Sequence, residues 1–174
     1  WEKQNDEVMA QADQMVAYLK QASQKTFAKT ENTMDKSMCR DIAESLLKQA
    51  DTEQGGFGNA PKFPGTMAIS FLLEHYHFTG YEPALKHALH SLDAMIAGGI
   101  YDQLGGGFAR YSTDRQWLAP HFEKMLYDNA LLISSLCDAY SITKDVKYKT
   151  IIEETIAFAE RELKDSSGGY YCAL

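Results

Sequence analysis

The chain has 174 residues, 45% hydrophobic and 24% charged, with a net charge of −7, the composition of an ordinary globular domain. An acidic balance with no lysine or arginine stripe argues against nucleic acid as a partner, and no apolar run of about eighteen residues is present to cross a membrane. The start WEKQNDEV reads as neither a basic leader nor an apolar signal segment, so a cytoplasmic location is expected. Cys39, Cys137 and Cys172 are odd in number and far apart, which suggests neither a disulfide framework nor a zinc site. They are expected to be buried as small hydrophobes.

In chain order the hydrophobic period is helical almost everywhere. Val8, Ala12, Met15, Val16 and Leu19 make one apolar stripe, the signature of a first amphipathic helix. Ser37 or Asp35 is placed to cap a second helix, which carries Ile42, Ala43, Leu46 and Leu47 to about Asp51. Pro64 and Gly65 open a third, apolar nearly all round, to about Phe78. Glu82 and Pro83 open a fourth, ended by Gly98 and Gly99. The fifth is predicted to follow Pro120, whose fixed φ suits a first turn, and to reach about Ser141. The sixth runs from about Asp145 to Leu163, and no segment shows sustained strand alternation.

Three times a helix leads through a glycine pair into an aromatic residue: Gly55-Gly56-Phe57, Gly106-Gly107-Phe108 and Gly168-Gly169-Tyr170. Each interval has room for one helical hairpin and a loop, while the links after the third and fifth helices are short. Long loops therefore gather on one side. The third and fifth helices should be inner and the amphipathic fourth and sixth outer, which is the pattern of an all-α, (α/α)-type toroid. Three hairpins make about the front half of such a ring. Apolar edges left open would favour self-association, and half a ring is expected to lack activity alone. The competing architecture is a self-contained bundle of six helices.

GGFGNAPKFP from Gly55, GGIYDQLGGGFARYS from Gly98 and WLAPHFEKMLYDNA from Trp117 resemble the YyaL-type family, whose animal members are called spermatogenesis-associated thioredoxin-domain proteins. The resemblance runs from about Asp41 to Leu174. It implies a portion of a six-hairpin toroid akin to N-acylglucosamine 2-epimerases and six-hairpin glycosidases. In that family the toroid follows a thioredoxin-like domain, which is absent from this chain and would be its partner in the parent protein. Asn59 stands where the family motif usually has glycine, and Ala109 where histidine is common.

The segment from Gly98 to Ala130 holds most of the candidate chemistry. In toroids of this kind the sugar sits in the mouth lined by such loops, so a carbohydrate or other small molecule is the expected ligand. Glycosidic cleavage needs an acid and a carboxylate, for which Asp102, Asp114, Glu123 and Asp128 are available. Epimerisation needs a base beside a carbonyl, a task suited to histidine, and His121 is the histidine of this region. Glu123, Asp128, His121 and Asp102 are therefore the catalytic candidates. Their structural alternatives are helix-end complementation for Glu123 and buried hydrogen bonding for Asp128 and Asn129.

Arg110, Tyr111, Trp117, Tyr101 and Lys62 are the candidates for holding substrate. Arg110 is expected to pair with Asp102 or Asp114, the aromatics could instead seal the loop onto the core, and Lys62 could simply be solvated. His87-x-x-His90 is expected on an outward face, and no metal or other cofactor is called for. Two functions stand: a carbohydrate-active, sugar-isomerising or hydrolysing module, or a noncatalytic ligand-binding or scaffold domain that works with a thioredoxin-like partner.

Overall fold

A computed structural model of the chain describes residues 5–26 and 36–174. It divides into two compact units. In the first, α1 (Asn5–Thr26) is a single helix whose apolar stripe, Val8, Met15, Val16 and Leu19, is exposed. The second contains α2 (Lys36–Lys48), α3 (Thr66–Thr79), α4 (Glu82–Ala97), α5 (Leu126–Thr143) and α6 (Val146–Phe158), the last running into a π-helical turn, Ala159–Leu163. Ser37 lies inside α2, past the N-cap position; the alternative cap, Asp35, lies outside the described residues.

The core follows from the helical period. On α4, Ala84, His87, Ala88, Ser91, Leu92 and Met95 fall on one buried stripe. Ile69, Leu72 and Leu73 of α3 meet Leu132, Leu136 and Ala139 of α5 in the same cluster, and the Ser70 and Ser135 hydroxyls hydrogen-bond across the two helices at 2.9 Å. Helix α3 packs on α4 and α5, and α5 packs on α6, so α3 and α5 are the inner pair. Gly80 and Lys144 close α3 and α5 in the left-handed conformation, and Asp145 caps α6 by accepting from the Lys147 N–H.

Several expectations are corrected. Helix α5 begins at Leu126 and not after Pro120. Pro120–His121 is instead a short strand, β2, antiparallel to β1 (Tyr111–Ser112). The N–H groups of Lys124 and Leu126 donate to the carbonyls of Leu174 and Cys172. The extended segment is thus hydrogen-bonded on two sides, and tertiary pairing overrides proline's preference for a first turn. These strands are too short to show alternation in sequence. All three cysteines are exposed, on faces of α2 and α5 away from the buried stripes and in the last loop. His87 is buried, its Nε2 hydrogen-bonded to the Gly56 carbonyl at 3.0 Å.

The glycine loops repeat in three dimensions. Asp51, Asp102 and Asp165 each donate a backbone N–H to the carbonyl of the second glycine of their loop, Gly56, Gly107 and Gly169. Isolated bridges then join Ala50 to Phe57, Tyr101 to Phe108 and Lys164 to Tyr170. Gly56 and Gly107 sit at positive φ, and a side chain there would strike the Trp117 and Phe158 rings. Glycine is required at both positions for close approach as well as for conformation. The entry strand of each hairpin also pairs with its exit loop: Lys62 bonds with Ser112 and Lys124 with Leu174 through reciprocal backbone hydrogen bonds.

Candidate functional site

Two clamps hold the loops. In the first, the Lys62 ammonium is enclosed, with Nζ 2.7 Å from Asp51 Oδ2, 3.1 Å from the Arg115 carbonyl and 5.1 Å above the Trp117 ring. Arg115 adds a two-pronged contact to Asp51 at 2.7 Å on each oxygen. The Arg115 guanidinium, against the cost of burial and aided by Lys62, drives the Asp51 carboxyl far below the ordinary carboxylate range. In the second clamp, Lys124 Nζ meets Asp102 Oδ2 at 2.8 Å and the Gly106 carbonyl at 2.9 Å, 4.4 Å above the Phe158 ring. The backbone N–H of Gly105 and the Lys124 ammonium pull Asp102 down to about 2.

The clamps decide where several candidate residues stand. Lys62 is neither solvated nor open to a ligand. Trp117 is fully buried, its indole N–H donating to the Gln54 carbonyl at 2.8 Å, and Tyr101 is buried with its hydroxyl on Glu154. Asp102 is committed to Lys124 and to the N–H groups of Leu104 and Gly105. Asp114 turns the chain by accepting from Gln116, Leu118 and Ala119; burial raises its proton affinity, and those donors outweigh it. The expected pairing of Arg110 with Asp102 or Asp114 is therefore not formed.

Arg110 pairs with Glu123 instead. The two are joined twice, Nη1 to Oε2 at 3.0 Å and the Arg110 N–H to the Glu123 carbonyl at 2.8 Å, because β1 and β2 lay them side by side. His121 Nδ1 lies 4.0 Å from the same Glu123 oxygen. Its ring stacks on Tyr111 at 4.7 Å and 16°, and Tyr111 meets Phe63 at 4.8 Å, so three rings from two loops form a column. Asp128 lies in the first turn of α5. Burial raises its proton affinity, Tyr127 and Arg110 lower it, and Glu123 raises it. Asp128 Oδ2 and Arg110 Nε are buried with no hydrogen-bond partner.

Arg110, Tyr111, His121, Glu123 and Asp128 therefore gather in one patch, whereas Asp102, Tyr101, Trp117 and Lys62 hold the loops in place. The sequence reading missed Phe63 and Tyr127 in the patch and Asp51 and Arg115 in the clamp. An aspartate four or three residues before each glycine pair was the visible signal for Asp51. Asn129 is a buried structural group, bonded to both backbone polar groups of Phe108. Hollows lined by other residues lie away from the patch, about 390 Å³ between α3 and α5, 510 Å³ between α2 and α4, and 530 Å³ between α2 and α3. Among the described residues no cluster of three histidine, cysteine, aspartate or glutamate side chains is arranged to hold a metal, and no helix is long and apolar enough to cross a membrane.

No family model matches the chain. Human spermatogenesis-associated protein 20 is 45% identical over 134 residues, which are 75% of this chain and 17% of that protein. The chain is homologous to part of spermatogenesis-associated protein 20. An uncharacterised protein of Caenorhabditis elegans is 29% identical over 179 residues, 99% of this chain and 24% of its own length. The chain thus spans a quarter or less of the curated relatives it matches.

Solved structures establish the fold. A sugar epimerase from a ruminal bacterium superposes with a TM-score of 0.69 at 20% identity, over 79% of this chain and 39% of that one. Cellobiose 2-epimerase from Spirochaeta thermophila gives 0.67 at 22% identity, over 82% and 41%, and a D-mannose isomerase gives 0.64 at 17%, over 79% and 39%. The matched part of the chain corresponds to about two-fifths of an (α/α)6 toroid.

Proposed function

We propose that the patch built on Arg110, Tyr111, His121, Glu123 and Asp128 binds a carbohydrate and transfers a proton at the carbon beside its carbonyl. The observation that carries this reading is the division of labour among the mouth's charged groups. Asp102, Asp114, Asp51 and Lys62 are tied into structure, while His121 keeps an exposed ring oriented by Tyr111 and aligned with the Arg110–Glu123 pair.

The imidazole of His121 takes the proton from the carbon next to the carbonyl, and the C–H electron pair moves into an enediol. Asp128, whose burial favours the neutral form, gives a proton to the carbonyl oxygen, and then takes one back from that same oxygen when an epimer forms or from the hydroxyl on the adjacent carbon when an isomer forms. If the enediol turns over before His121 returns the proton to the same carbon, an epimer results; return of the proton to the former carbonyl carbon gives an isomer. Arg110, through Glu123, fixes the edge along which the sugar hydroxyls lie. A hydrolytic reading has less support, because of its four carboxylates Asp102 and Asp114 are already fully engaged.

The test is solvent exchange. Full-length protein incubated in D2O with aldoses and disaccharides, mannose and cellobiose among them, should place deuterium at C2. His121→Gln should abolish the exchange and Asp128→Asn should slow it at least tenfold, with the circular dichroism unchanged. Saturable sugar binding without exchange would leave a noncatalytic ligand-binding domain, and no binding at millimolar sugar would overturn the reading.

A further inference from the structure

The three glycine loops share one construction, and two of them are clamped by a lysine further along the chain. In the first, Asp51 Oδ1 accepts the N–H groups of Glu53 and Gln54 and Oδ2 takes Lys62; in the second, Asp102 Oδ1 accepts those of Leu104 and Gly105 and Oδ2 takes Lys124. The third repeats the pattern as far as it can. Asp165 donates its N–H to the Gly169 carbonyl at 2.8 Å and its Oδ1 accepts from Ser167, but Oδ2 meets the Tyr171 hydroxyl where the others meet a lysine.

The glycines differ in the same way. A side chain on Gly55 would run into His90 and Ser91 of α4, and one on Gly106 into Glu154 of α6, so each of these loops is pressed by the outer helix of the next hairpin. Around Gly168 and Gly169 there is open space. Gly168 has a positive φ that accounts for it, whereas Gly169 has neither that conformation nor a close neighbour. A glycine that nothing crowds is explained when something approaches it closely in the assembled protein. Tyr170 is also 41% exposed, where its counterpart Phe108 is buried.

We propose that the loop from Asp165 to Leu174 is a docking surface for a further helical hairpin of the same polypeptide, which brings a lysine to Asp165 and seats an outer helix on Gly168 and Gly169. The clamping lysine follows its aspartate by 11 residues in the first loop and by 22 in the second. The partner lysine is accordingly placed 11 to 22 residues beyond Asp165, in an extended entry segment that leads into an inner helix. The Tyr171 hydroxyl yields Oδ2 to it. The curated relatives leave ample room, since this chain covers 17% of the human one.

Hydrogen exchange compares the 174-residue chain with the longer polypeptide that contains it. Amides of residues 167–171 should exchange at least tenfold more slowly in the longer protein, at a rate independent of protein concentration. Asp165→Asn should remove that protection and lower the unfolding midpoint of the longer protein by several degrees, and should shift the midpoint of the 174-residue chain, where Asp165 holds Ser167 and Tyr171, by much less. Methionine at the partner lysine should match this effect, and the double variant should add nothing. Equal exchange in both proteins, protection that grows with concentration, or Asp165→Asn acting equally on both would overturn the proposal.

Discussion

The two lysine clamps are built on the same plan but differ in their surroundings. Lys62 and Asp51 have side-chain exposures of 0% and 2%, whereas Lys124 and Asp102 stand at 13% and 39%. The first clamp lies beneath the Trp117 plug and carries a second cation, Arg115. The second lies on the rim, beside the extended segment that carries His121 and Glu123. One device thus serves as a core fastening in the first loop and as a rim fastening beside the proposed ligand patch in the second. Charge pairs of equal length differ in worth according to whether water reaches them.

Breaking the buried clamp should have the largest effect. Lys62→Met leaves Asp51 in a water-excluded site with only Arg115, and about 3 kcal/mol of stability should disappear from the denaturant midpoint. Gly56→Ala attacks the same clamp through the backbone, combining a disfavoured left-handed residue with a collision against the Trp117 ring. A loss of about 2 kcal/mol is expected in the same assay. Lys124→Met, on the solvent-screened rim, should cost about 1 kcal/mol or less.

Acid sharpens the comparison further. Asp102 is depressed from 3.8 to about 2 in the folded chain, and Asp51 lies lower still. Both contribute stability that is fully present above the ordinary carboxylate value and fades as pH falls through the folded one. Melting temperature should therefore drop between about pH 4 and pH 2, and Asp102→Asn should flatten the upper part of that fall. At the small end, His121→Gln should change stability by less than about 0.5 kcal/mol, because its ring is surface-exposed.

The helices could be read from the sequence where the apolar period was sustained. Helices α3 and α4 begin and end within two residues of the places marked by Gly65, Gly80, Glu82 and Gly98, because local capping chemistry decides those ends. The start of α5 could not be read this way. Residues 120–126 pair with β1 about ten residues earlier and with the last loop about fifty residues later, and no local signal reports such partners. His87 was misplaced for a similar reason: its partner, the Gly56 carbonyl, reaches α4 from a loop 31 residues away.

The site was half legible. The proposed patch falls within the region from Gly98 to Ala130, and the glycine-aromatic repeat located the loops. A helix begun at Pro120 would set His121 and Asp128 on one face and Glu123 on another, whereas the β1–β2 pair and the residues flanking it bring Arg110, His121 and Glu123 together. Asp51 and Lys62 are eleven residues apart across an irregular loop, a spacing with no periodic meaning, so the clamp emerges only in three dimensions.

The central claim is that the clamps hold the mouth and the His121 patch uses it. Its most direct test is deuterium incorporation at C2 of an aldose by the full-length protein and two variants, each scored for folding by its melting curve. Lys124→Met should stay folded and keep at least a third of the exchange rate, whereas His121→Gln should stay folded and lose it. Exchange that survives His121→Gln while Lys124→Met abolishes it in a folded protein would contradict the account.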